Sequence, residues 1–274
     1  MHRVQAQDAR IPILGFGTYS MGRQDMLRMI PAALKGGFRH IDTAQIYRNE
    51  TEVGECVAAS GIPRSEIFIT TKVWVDNYPA NRFSASVDDS LKKLRTDHID
   101  LLLLHWPNAQ VPLADQIGAL NAAVAAGKVR HIGVSNFNRQ MMAEAALLSE
   151  HPLVTNQFEY HPYLDQTRLI EATRRAGMAV TAYCGMAVGR VLRDPALAEI
   201  ARDRGRTIPQ IVLRWLVQQD GTIALSRTTN PDRIAENMAI FDFDLTAEEM
   251  ARVHSLVSPD SRIADPPGLA PIWD

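Results

Sequence analysis

Short apolar runs alternate with longer amphipathic stretches along most of the chain, and this alternation limits the folds it can adopt. The runs are rich in β-branched residues, which is typical of strands buried on both faces of a parallel sheet. They are the segment ending near Gly17, then GFRHIDT, EIFITTK, IDLLLLH, VRHIGVS, LVTNQ, MAVTAY and TIALS. The amphipathic stretches predict helices near residues 25–35, 50–59, 80–95, 113–126, 138–149, 166–175, 195–203 and 231–237.

About eight strand–helix units of this size predict an α/β protein, a (β/α)8 TIM barrel in which residues 1–274 form a single domain. A doubly wound sheet is the rival fold. When such a sheet binds a dinucleotide, it usually carries the motif GxGxxG after its first strand. Here Gly15 and Gly17 are followed by Ser20, so that motif is absent and the barrel is favoured.

Additional elements are expected at both ends of the barrel. The segment VQAQDARIPILGFG predicts an N-terminal β-hairpin with Asp8 near its turn. Residues 208–219 and 246–256 carry further helical pattern and predict extra C-terminal helices. Thr246 followed by Glu249 forms a capping-box signal at the start of the last helix.

Composition narrows the class of protein. The net charge is −2 and there is no basic block, so nucleic-acid binding is not expected. The first residues contain no long apolar stretch, so we expect neither a signal peptide nor a membrane anchor. Cys56 and Cys184 lie in different segments and form no metal-ligand pattern, which is consistent with a reducing cytoplasm and with a site without metal.

Polar residues stand where the predicted strands end. Asp42, Lys72 and His105 close three of the runs, and Tyr47 follows Asp42 by five residues. Active sites of (β/α)8 barrels lie at the C-terminal ends of their strands. A phenol with a pKa of about 10 is a slow acid, but a nearby ammonium favours the phenolate. We therefore expect Lys72, held by Asp42, to lower the pKa of Tyr47, which then protonates a carbonyl oxygen that His105 orients.

Each of these residues also has a purely structural explanation. Asp42 suits a turn cap, and Tyr47 suits a partly buried aromatic residue with a bonded hydroxyl. Lys72 suits a structural ion pair with Asp42, since buried lysine is rare without a partner. His105 suits a core histidine. The joint pattern of residue types at strand ends favours the catalytic interpretation.

Several motifs resemble those of one protein family. DTAQIYRNE, ITTKVW, LLLLHWP, GVSNF, NQFEYHP and RIAEN resemble the motifs of aldo-keto reductases, and they occur in family order across residues 15–237. The closing APIWD and the short tail resemble the bacterial 2,5-diketo-D-gluconate reductase branch, which is similar to methylglyoxal reductases. The resemblance implies a (β/α)8 barrel, often a monomer, that reduces aldehydes and ketones with NADPH and without metal.

The resemblance also implies roles for individual residues. Asp42, Tyr47, Lys72 and His105 fall on the catalytic tetrad of the family, with Tyr47 as the proton donor. Ser135, Asn136 and Gln157 fall on the nicotinamide carboxamide site, Tyr183 on the aromatic residue beneath the nicotinamide ring, and Glu236 and Asn237 on adenine contacts. The full set of expected cofactor-binding residues is Gly17, Thr18, Asp42, Ser135, Asn136, Gln157, Tyr183, Cys184, Met186, Ser226, Arg227, Thr228, Arg233, Glu236 and Asn237.

The nucleotide end can also be argued physically. Ser226, Arg227 and Thr228 precede a helix predicted to start near Pro231, with Arg233 in its first turn. Free N–H groups at a helix start attract phosphate, and guanidinium pairs well with phosphate oxygens. Either arginine alone suits an ordinary surface position. Where the family has a lysine this chain has Arg227, so the charge persists and we expect NADPH to be preferred over NADH.

Aromatic residues follow three of the strand ends. Tyr19, Trp74 and Trp106, together with Tyr47 and His105, are expected to wall an apolar pocket for a small-molecule carbonyl substrate. Loop packing is the alternative role for either tryptophan. Trp273 in the tail is expected either to close this pocket or to anchor the terminus.

The resulting hypothesis is an NADPH-dependent reductase of small aldehydes and ketones. Dicarbonyls such as methylglyoxal, keto sugar acids such as 2,5-diketo-D-gluconate, and β-keto esters are the substrates considered. A barrel that binds NADPH and reports redox state to a partner, with little turnover, is the main alternative. A phosphate-binding barrel isomerase or hydrolase is a third, and the six ordered motifs argue against it.

Overall fold

The strands of the chain form a closed barrel and one separate hairpin. The computed structural model describes residues 2–274. Eight parallel strands close in the order β10-β3-β4-β5-β6-β7-β8-β9, which confirms the predicted (β/α)8 architecture. The strands are β1 Arg3–Ala6, β2 Ala9–Pro12, β3 Leu14–Gly17, β4 His40–Asp42, β5 Phe68–Val73, β6 Ile99–Leu104, β7 Val129–Ser135, β8 Leu153–Glu159, β9 Ala179–Tyr183 and β10 Thr222–Ser226.

Helices follow the barrel strands on the outside. They are α1 Arg23–Lys35, α2 Glu50–Ala59, α3 Ala80–Leu94, α4 Leu113–Ala125, α5 Arg139–Leu148, α6 Thr167–Arg175, α7 Pro195–Arg204, α8 Ile208–Gln218, α9 Asp232–Met238 and α10 Ala247–His254. The expected extra C-terminal helices are therefore present as α8 and α10, and Thr246 and Glu249 form the predicted capping box. No helix within residues 2–274 is long and apolar enough to span a membrane.

Alternate residues of a strand enter different hydrophobic clusters. Leu102 and Leu104 of β6 join the large cluster beneath the helices, whereas Leu101 and Leu103 join a smaller one. Successive side chains of a strand point to opposite faces, so both faces of β6 are buried in apolar surroundings. This explains why the strand runs are uniformly hydrophobic in sequence.

The N-terminal hairpin packs against the strands by its apolar residues. β1 and β2 pair antiparallel around the turn at Gln7 and Asp8, as predicted. Val4 and Ile11 of the hairpin belong to the same small cluster as Leu103 of β6. The hairpin thus extends the hydrophobic core that Leu103 enters.

We predict opposite effects of alanine at two helical glycines. A Cβ on Gly54 in α2 would lie 2.8 Å from Leu94 Cα and closer still to the carbonyl oxygen of Lys93, whereas Gly118 in α4 faces open space. Gly54→Ala should lower the free energy of unfolding by about 1–3 kcal/mol, the usual cost of overpacking. Gly118→Ala should raise it by about 0.5–1 kcal/mol, because alanine favours the helix. Urea unfolding of both variants tests this, and equal effects would contradict the tight α2–α3 contact.

Candidate active site

The four candidate catalytic residues lie at one end of the barrel. Asp42 ends β4, Lys72 is the penultimate residue of β5, and His105 directly follows β6. Tyr47 ends a short 3-10 turn, Gln45–Tyr47, that begins just after β4. Because all barrel strands are parallel, their carboxyl ends surround one opening, here called the mouth of the barrel.

Lys72 and Asp42 form a buried ion pair at the mouth. Lys72 Nζ donates to Asp42 Oδ1 at 2.6 Å and to the carbonyl oxygen of Thr43 at 2.8 Å, and the Lys72 side chain is 0% exposed. Gln157 Nε2 donates to the other carboxylate oxygen, Asp42 Oδ2, at 2.9 Å. Burial lowers the pKa of Lys72, and the charge of Asp42 opposes that shift. Strands β4, β5 and β8 are thereby linked through one carboxylate.

Tyr47 is half-buried above this pair. Lys72 Nζ lies 5.3 Å from the centre of the Tyr47 ring, and the ring meets those of His105 and Tyr19 edge-on. The pKa of Tyr47 lies well above its ordinary value, because burial disfavours the phenolate and the charge of Asp42 adds to this. The expectation that the pKa of Tyr47 is lowered is therefore wrong for the free protein, because burial and the charge of Asp42 outweigh any effect of Lys72.

His105 carries a neutral imidazole. Burial holds its pKa well below the ordinary value, and the positive charge of Lys72 acts in the same direction. Its Nδ1 is buried and has no hydrogen-bond partner among residues 2–274, and its ring meets Trp74 edge-on at 5.3 Å between centroids. A neutral imidazole has one N–H to donate and one nitrogen to accept.

The expected carboxamide-binding residues are brought together beside the ion pair. Asn136 Nδ2 donates to the backbone oxygen of His105 at 3.0 Å, and Tyr183 OH donates to Asn136 Oδ1 at 2.7 Å. Ser135 Oγ donates to the backbone oxygen of Gln157 at 2.9 Å. Asn136 has φ 62°, a left-handed conformation that asparagine tolerates better than most residues. This network fixes polar groups of β7, β8 and β9 around the mouth.

Gly17 and Thr18 lie at the end of the first barrel strand, next to Asp42. Thr18 is fully buried, and its Oγ1 donates to the backbone oxygen of Asp42 at 3.0 Å. Asn49 Nδ2 donates to the backbone oxygen of Thr18 at 2.9 Å. The Thr18 side chain therefore braces β3 against β4. Gly17 precedes it at the end of β3, where a Cβ would have the Ser226 oxygen as its nearest neighbour at 3.8 Å.

The expected nucleotide-binding residues surround the start of α9. Arg227 and Arg233 are exposed, and Arg227 Nη2 donates to the backbone oxygen of Ser20 at 3.0 Å. Asn237 Nδ2 donates to Ser226 Oγ at 2.7 Å. The remaining members are also engaged within the chain: Thr228 Oγ1 accepts from the N–H of Asn230, and Glu236 Oε1 accepts from Thr207 Oγ1. The helix begins at Asp232, one residue later than predicted.

The aromatic residues expected around the substrate have unequal exposure. Tyr19 is 65% exposed, Trp74 is half-buried and Trp106 is 7% exposed. Trp273 of the tail approaches Trp106 with a centroid distance of 6.4 Å, and its Nε1 donates to Asp265 Oδ1. Both roles considered for Trp273 are therefore compatible with its contacts.

Comparison with known proteins identifies the family. The model of the Aldo/keto reductase family matches residues 13–258. The chain belongs to the aldo/keto reductase family. It is therefore an oxidoreductase, and proteins of this family generally use NADP(H).

Individual relatives resemble this aldo/keto reductase over nearly its full length. Methylglyoxal reductase DkgB of Salmonella typhi is 38% identical over 268 residues, covering 96% of this chain and 99% of that protein. A crystal structure provisionally identified as a 2,5-diketo-D-gluconic acid reductase B has a TM-score of 0.99 at 60% identity, covering 100% of this chain and 98% of that one. An aldo/keto reductase from Brucella melitensis has a TM-score of 0.87 at 36% identity, covering 93% and 98%.

Glu159, at the end of β8, and Arg262, in the C-terminal tail, were not singled out from the sequence. Glu159 ends β8 and is 0% exposed, and His161 Nε2 lies 2.9 Å from its Oε1. Backbone N–H groups of Ile263 and Ala264 donate to the same carboxylate. Arg262 directly precedes these two anchored residues in the chain. Glu159 lies inside the motif NQFEYHP, but no sequence signal links it to a tail one hundred residues away.

The segment after β9 has an irregular backbone. Cys184, Ala187 and Val188 have φ values of 60°, 45° and 51°, and Met186 between them is half-buried. Burial raises the pKa of Cys184 to about 11, and Glu159 acts in the same direction. The thiol is therefore protonated at neutral pH, which fits a packing role better than an oxidation site.

We predict slow alkylation of both cysteines in the folded protein. The pKa of Cys56 and that of Cys184 are each raised from 9.0 to about 11, so the reactive thiolate is about 100-fold scarcer than in the unfolded chain. Iodoacetamide at pH 8 should modify the native protein about 100-fold more slowly than the urea-unfolded protein. Rapid modification of Cys184 in the native state, located by mass spectrometry, would contradict this.

Proposed function

We propose that this protein reduces aldehydes and ketones to alcohols with NADPH, with Tyr47 as the proton donor. The observation that carries the proposal is the arrangement of a buried Lys72–Asp42 pair, a protonated Tyr47 and a neutral His105 at one mouth. No group of three or more His, Cys, Asp or Glu residues suited to a metal occurs among residues 2–274. The proposal accordingly assigns the proton transfer to side chains.

The residues around the mouth fit a nicotinamide cofactor. Ser135, Asn136 and Gln157 offer hydroxyl and amide groups beside the ion pair, and amides of this kind suit a carboxamide in both donor and acceptor roles. The half-buried ring of Tyr183 offers an aromatic face for stacking, and the hydrogen bond from its hydroxyl to Asn136 holds the ring in place. Bound NADPH would supply the hydride.

The exposed arginines fit the far end of the same cofactor. Arg227 and Arg233 flank the start of α9, where no carboxylate is paired with either guanidinium in residues 2–274. Guanidinium groups bind phosphate oxygens in a bidentate manner. Cys184 and Met186 follow Tyr183 closely in the chain, and we assign them to the cofactor site as well. The residues assigned to the adenosine half of the cofactor are Ser226, Thr228, Glu236 and Asn237.

The raised pKa of Tyr47 suits reduction. A carbonyl compound becomes strongly basic at its oxygen as it is reduced, so a donor must hold its proton until that moment. Burial keeps the proton on Tyr47 at neutral pH. The Lys72 ammonium, 5.3 Å from the ring centre, then stabilises the negative charge left on the phenol oxygen, and Asp42 fixes its position. His105 donates a hydrogen bond to the same substrate oxygen.

The aromatic residues at the mouth and the names of the relatives support a substrate class. Tyr19, Trp74 and Trp106 offer an aromatic wall for a small carbonyl compound. Two of the similar proteins are called methylglyoxal reductase and 2,5-diketo-D-gluconic acid reductase. We assign dicarbonyls and keto sugar acids as substrates on that basis, and β-keto esters as further candidates.

The direct test is the loss of NADPH absorbance with methylglyoxal, a 2,5-diketo sugar acid and a β-keto ester, repeated with NADH. We expect oxidation with at least one substrate, faster with NADPH. NADPH binding without turnover of any of the three would favour the redox-sensing alternative, and absence of NADPH binding would refute the cofactor assignment.

Tyr47→Phe should lower turnover by about 100-fold or more, since a positioned general acid contributes at least this much. NADPH affinity, measured by fluorescence titration, should be nearly unchanged, because the hydroxyl is assigned to the substrate. Tyr19→Phe is the matched control, because it removes a hydroxyl from the neighbouring ring. Its turnover should fall far less than that of Tyr47→Phe. Near-normal turnover of Tyr47→Phe would exclude Tyr47 as the donor.

Arg227→Ser should weaken selectivity for NADPH over NADH. The ratio of kcat/KM for the two cofactors should fall by about 10-fold or more, the usual effect of losing a hydrogen bond between charged groups. Arg202→Ser removes a side chain that is 71% exposed on α7 and serves as the control of overall charge. NADPH differs from NADH by a 2′-phosphate, and an unchanged ratio in Arg227→Ser would mean that other residues bind this phosphate.

A further inference from the structure

The C-terminal segment is tied to the mouth of the barrel by specific hydrogen bonds. Ser261 Oγ donates to the backbone oxygen of Tyr163 at 2.6 Å. Two residues further on, Ile263 N–H donates to Glu159 Oε1 at 2.8 Å, and Ala264 N–H donates to Glu159 Oε2 at 2.7 Å. The backbone of Arg262 is therefore fixed on both sides by groups of the barrel.

Arg262 has an unsatisfied guanidinium. Its Cζ lies 3.7 Å from the centre of the Trp273 ring, and its Nη1 is buried without a hydrogen-bond partner. Burial lowers the pKa of Arg262, yet a guanidinium remains charged at any physiological pH. A buried N–H group without a partner is costly, and more so on a charged group. The side chain thus presents a donor that no group of residues 2–274 accepts, although the charges of Glu159 and Asp265 offset part of its positive charge.

The nearby carboxylates are already engaged. Glu159 accepts from the N–H groups of Ile263 and Ala264 and lies within hydrogen-bond distance of His161. Asp265 Oδ1 accepts from Trp273 Nε1 at 2.8 Å. No salt bridge of Arg262 is found among residues 2–274, whereas Arg139 pairs with Asp274 at the end of the tail. Neither Glu159 nor Asp265 bonds Nη1 of Arg262, so this donor is available to a group from outside the chain.

Contacts of the tail link Arg262 to the residue that follows His105. Its stacking partner Trp273 meets Trp106, the residue that directly follows His105. Tyr183, which donates its hydroxyl hydrogen to Asn136, is a second neighbour: burial raises the pKa of Tyr183, and the positive charge of Arg262 opposes that shift. Arg262 therefore lies beside the aromatic residues Trp273 and Trp106, on the side of the mouth that the tail covers.

We propose that Arg262 is the anchor for a carboxylate on the substrate, so that the protein prefers carbonyl compounds that carry an acid group, such as keto sugar acids. The planar guanidinium matches a carboxylate in a two-bond arrangement, and stacking on Trp273 holds it in one orientation. This assignment rests on the proposed carbonyl reductase function. Methylglyoxal, which is neutral, would bind without this contact.

The test compares matched acidic and neutral ligands in Arg262→Gln. We use 4-carboxybenzaldehyde and 4-nitrobenzaldehyde as planar substrates that differ mainly in charge, and measure kcat and KM for each. The ratio of kcat/KM for the acid over the neutral aldehyde should fall by about 10- to 100-fold, the effect of losing a charge-assisted pair. The change should lie in KM, since the anchor is assigned to the acid group of the substrate and not to the proton transfer. Arg262→Lys should recover part of the ratio.

Arg206→Gln is the matched control. Arg206 also stacks on an aromatic ring, with its Cζ 4.8 Å from the centre of Phe243, but it lies between α7 and α8, outside the mouth. Its removal should leave the acid-to-neutral ratio unchanged. An equal loss for both aldehydes in Arg262→Gln would assign Arg262 to holding the tail and overturn the proposal, as would an unaltered ratio.

A binding measurement separates this proposal from the reductase assignment. Benzoate and benzamide have similar shapes, and each is titrated against the NADPH-treated protein while tryptophan fluorescence is recorded. Benzoate should bind the original protein at least about 10-fold more tightly than it binds Arg262→Gln, with no such difference for benzamide. That result supports the anchor even if no aldehyde is reduced, and equal benzoate affinities would refute it whatever the turnover.

Discussion

The mouth of this barrel depends on one buried ion pair. Removing an ammonium and a carboxylate from water is costly, and the cost is offset only when the geometry is good and the remaining donors and lone pairs are satisfied. Lys72 and Asp42 meet both conditions, because Thr43 accepts a second bond from the ammonium and Gln157 occupies the second carboxylate oxygen. Losing either partner would leave a single charge among buried residues, so strands β4, β5 and β8 are constrained together.

That pair also sets the protonation states of its neighbours. Burial dominates the pKa of Tyr47 and that of His105; the charge of Asp42 adds to the first shift and the charge of Lys72 to the second, so both side chains are neutral. A neutral mouth is suited to a neutral carbonyl group, whose oxygen becomes charged only during the reaction. The electrostatic support of Lys72 is then available when that charge is passed to the phenol oxygen, and it need not lower the pKa beforehand.

The sequence predicts the fold well because local and global signals agree. Every barrel strand appeared as an apolar run, and the residues at their ends gather at one mouth because a parallel barrel leaves them no other arrangement. The pKa of Tyr47 was not predictable in the same way. It depends on how deeply a half-buried ring lies and on the distance of 2.6 Å between Lys72 and Asp42, which sequence spacing does not give.

The tail was the least predictable part of the mouth, and its contacts explain why. Arg262 is positioned by Glu159, about one hundred residues earlier, and by Trp273, eleven residues later, and neither separation leaves a periodic signal. The barrel strands and the turn after β4 supply the ion pair and the proposed proton donor, whereas the tail adds the cation of Arg262 beside Trp273. Selection among substrates can therefore change through residues of the tail while the Lys72–Asp42 pair, and the proton chemistry that depends on it, stay as they are.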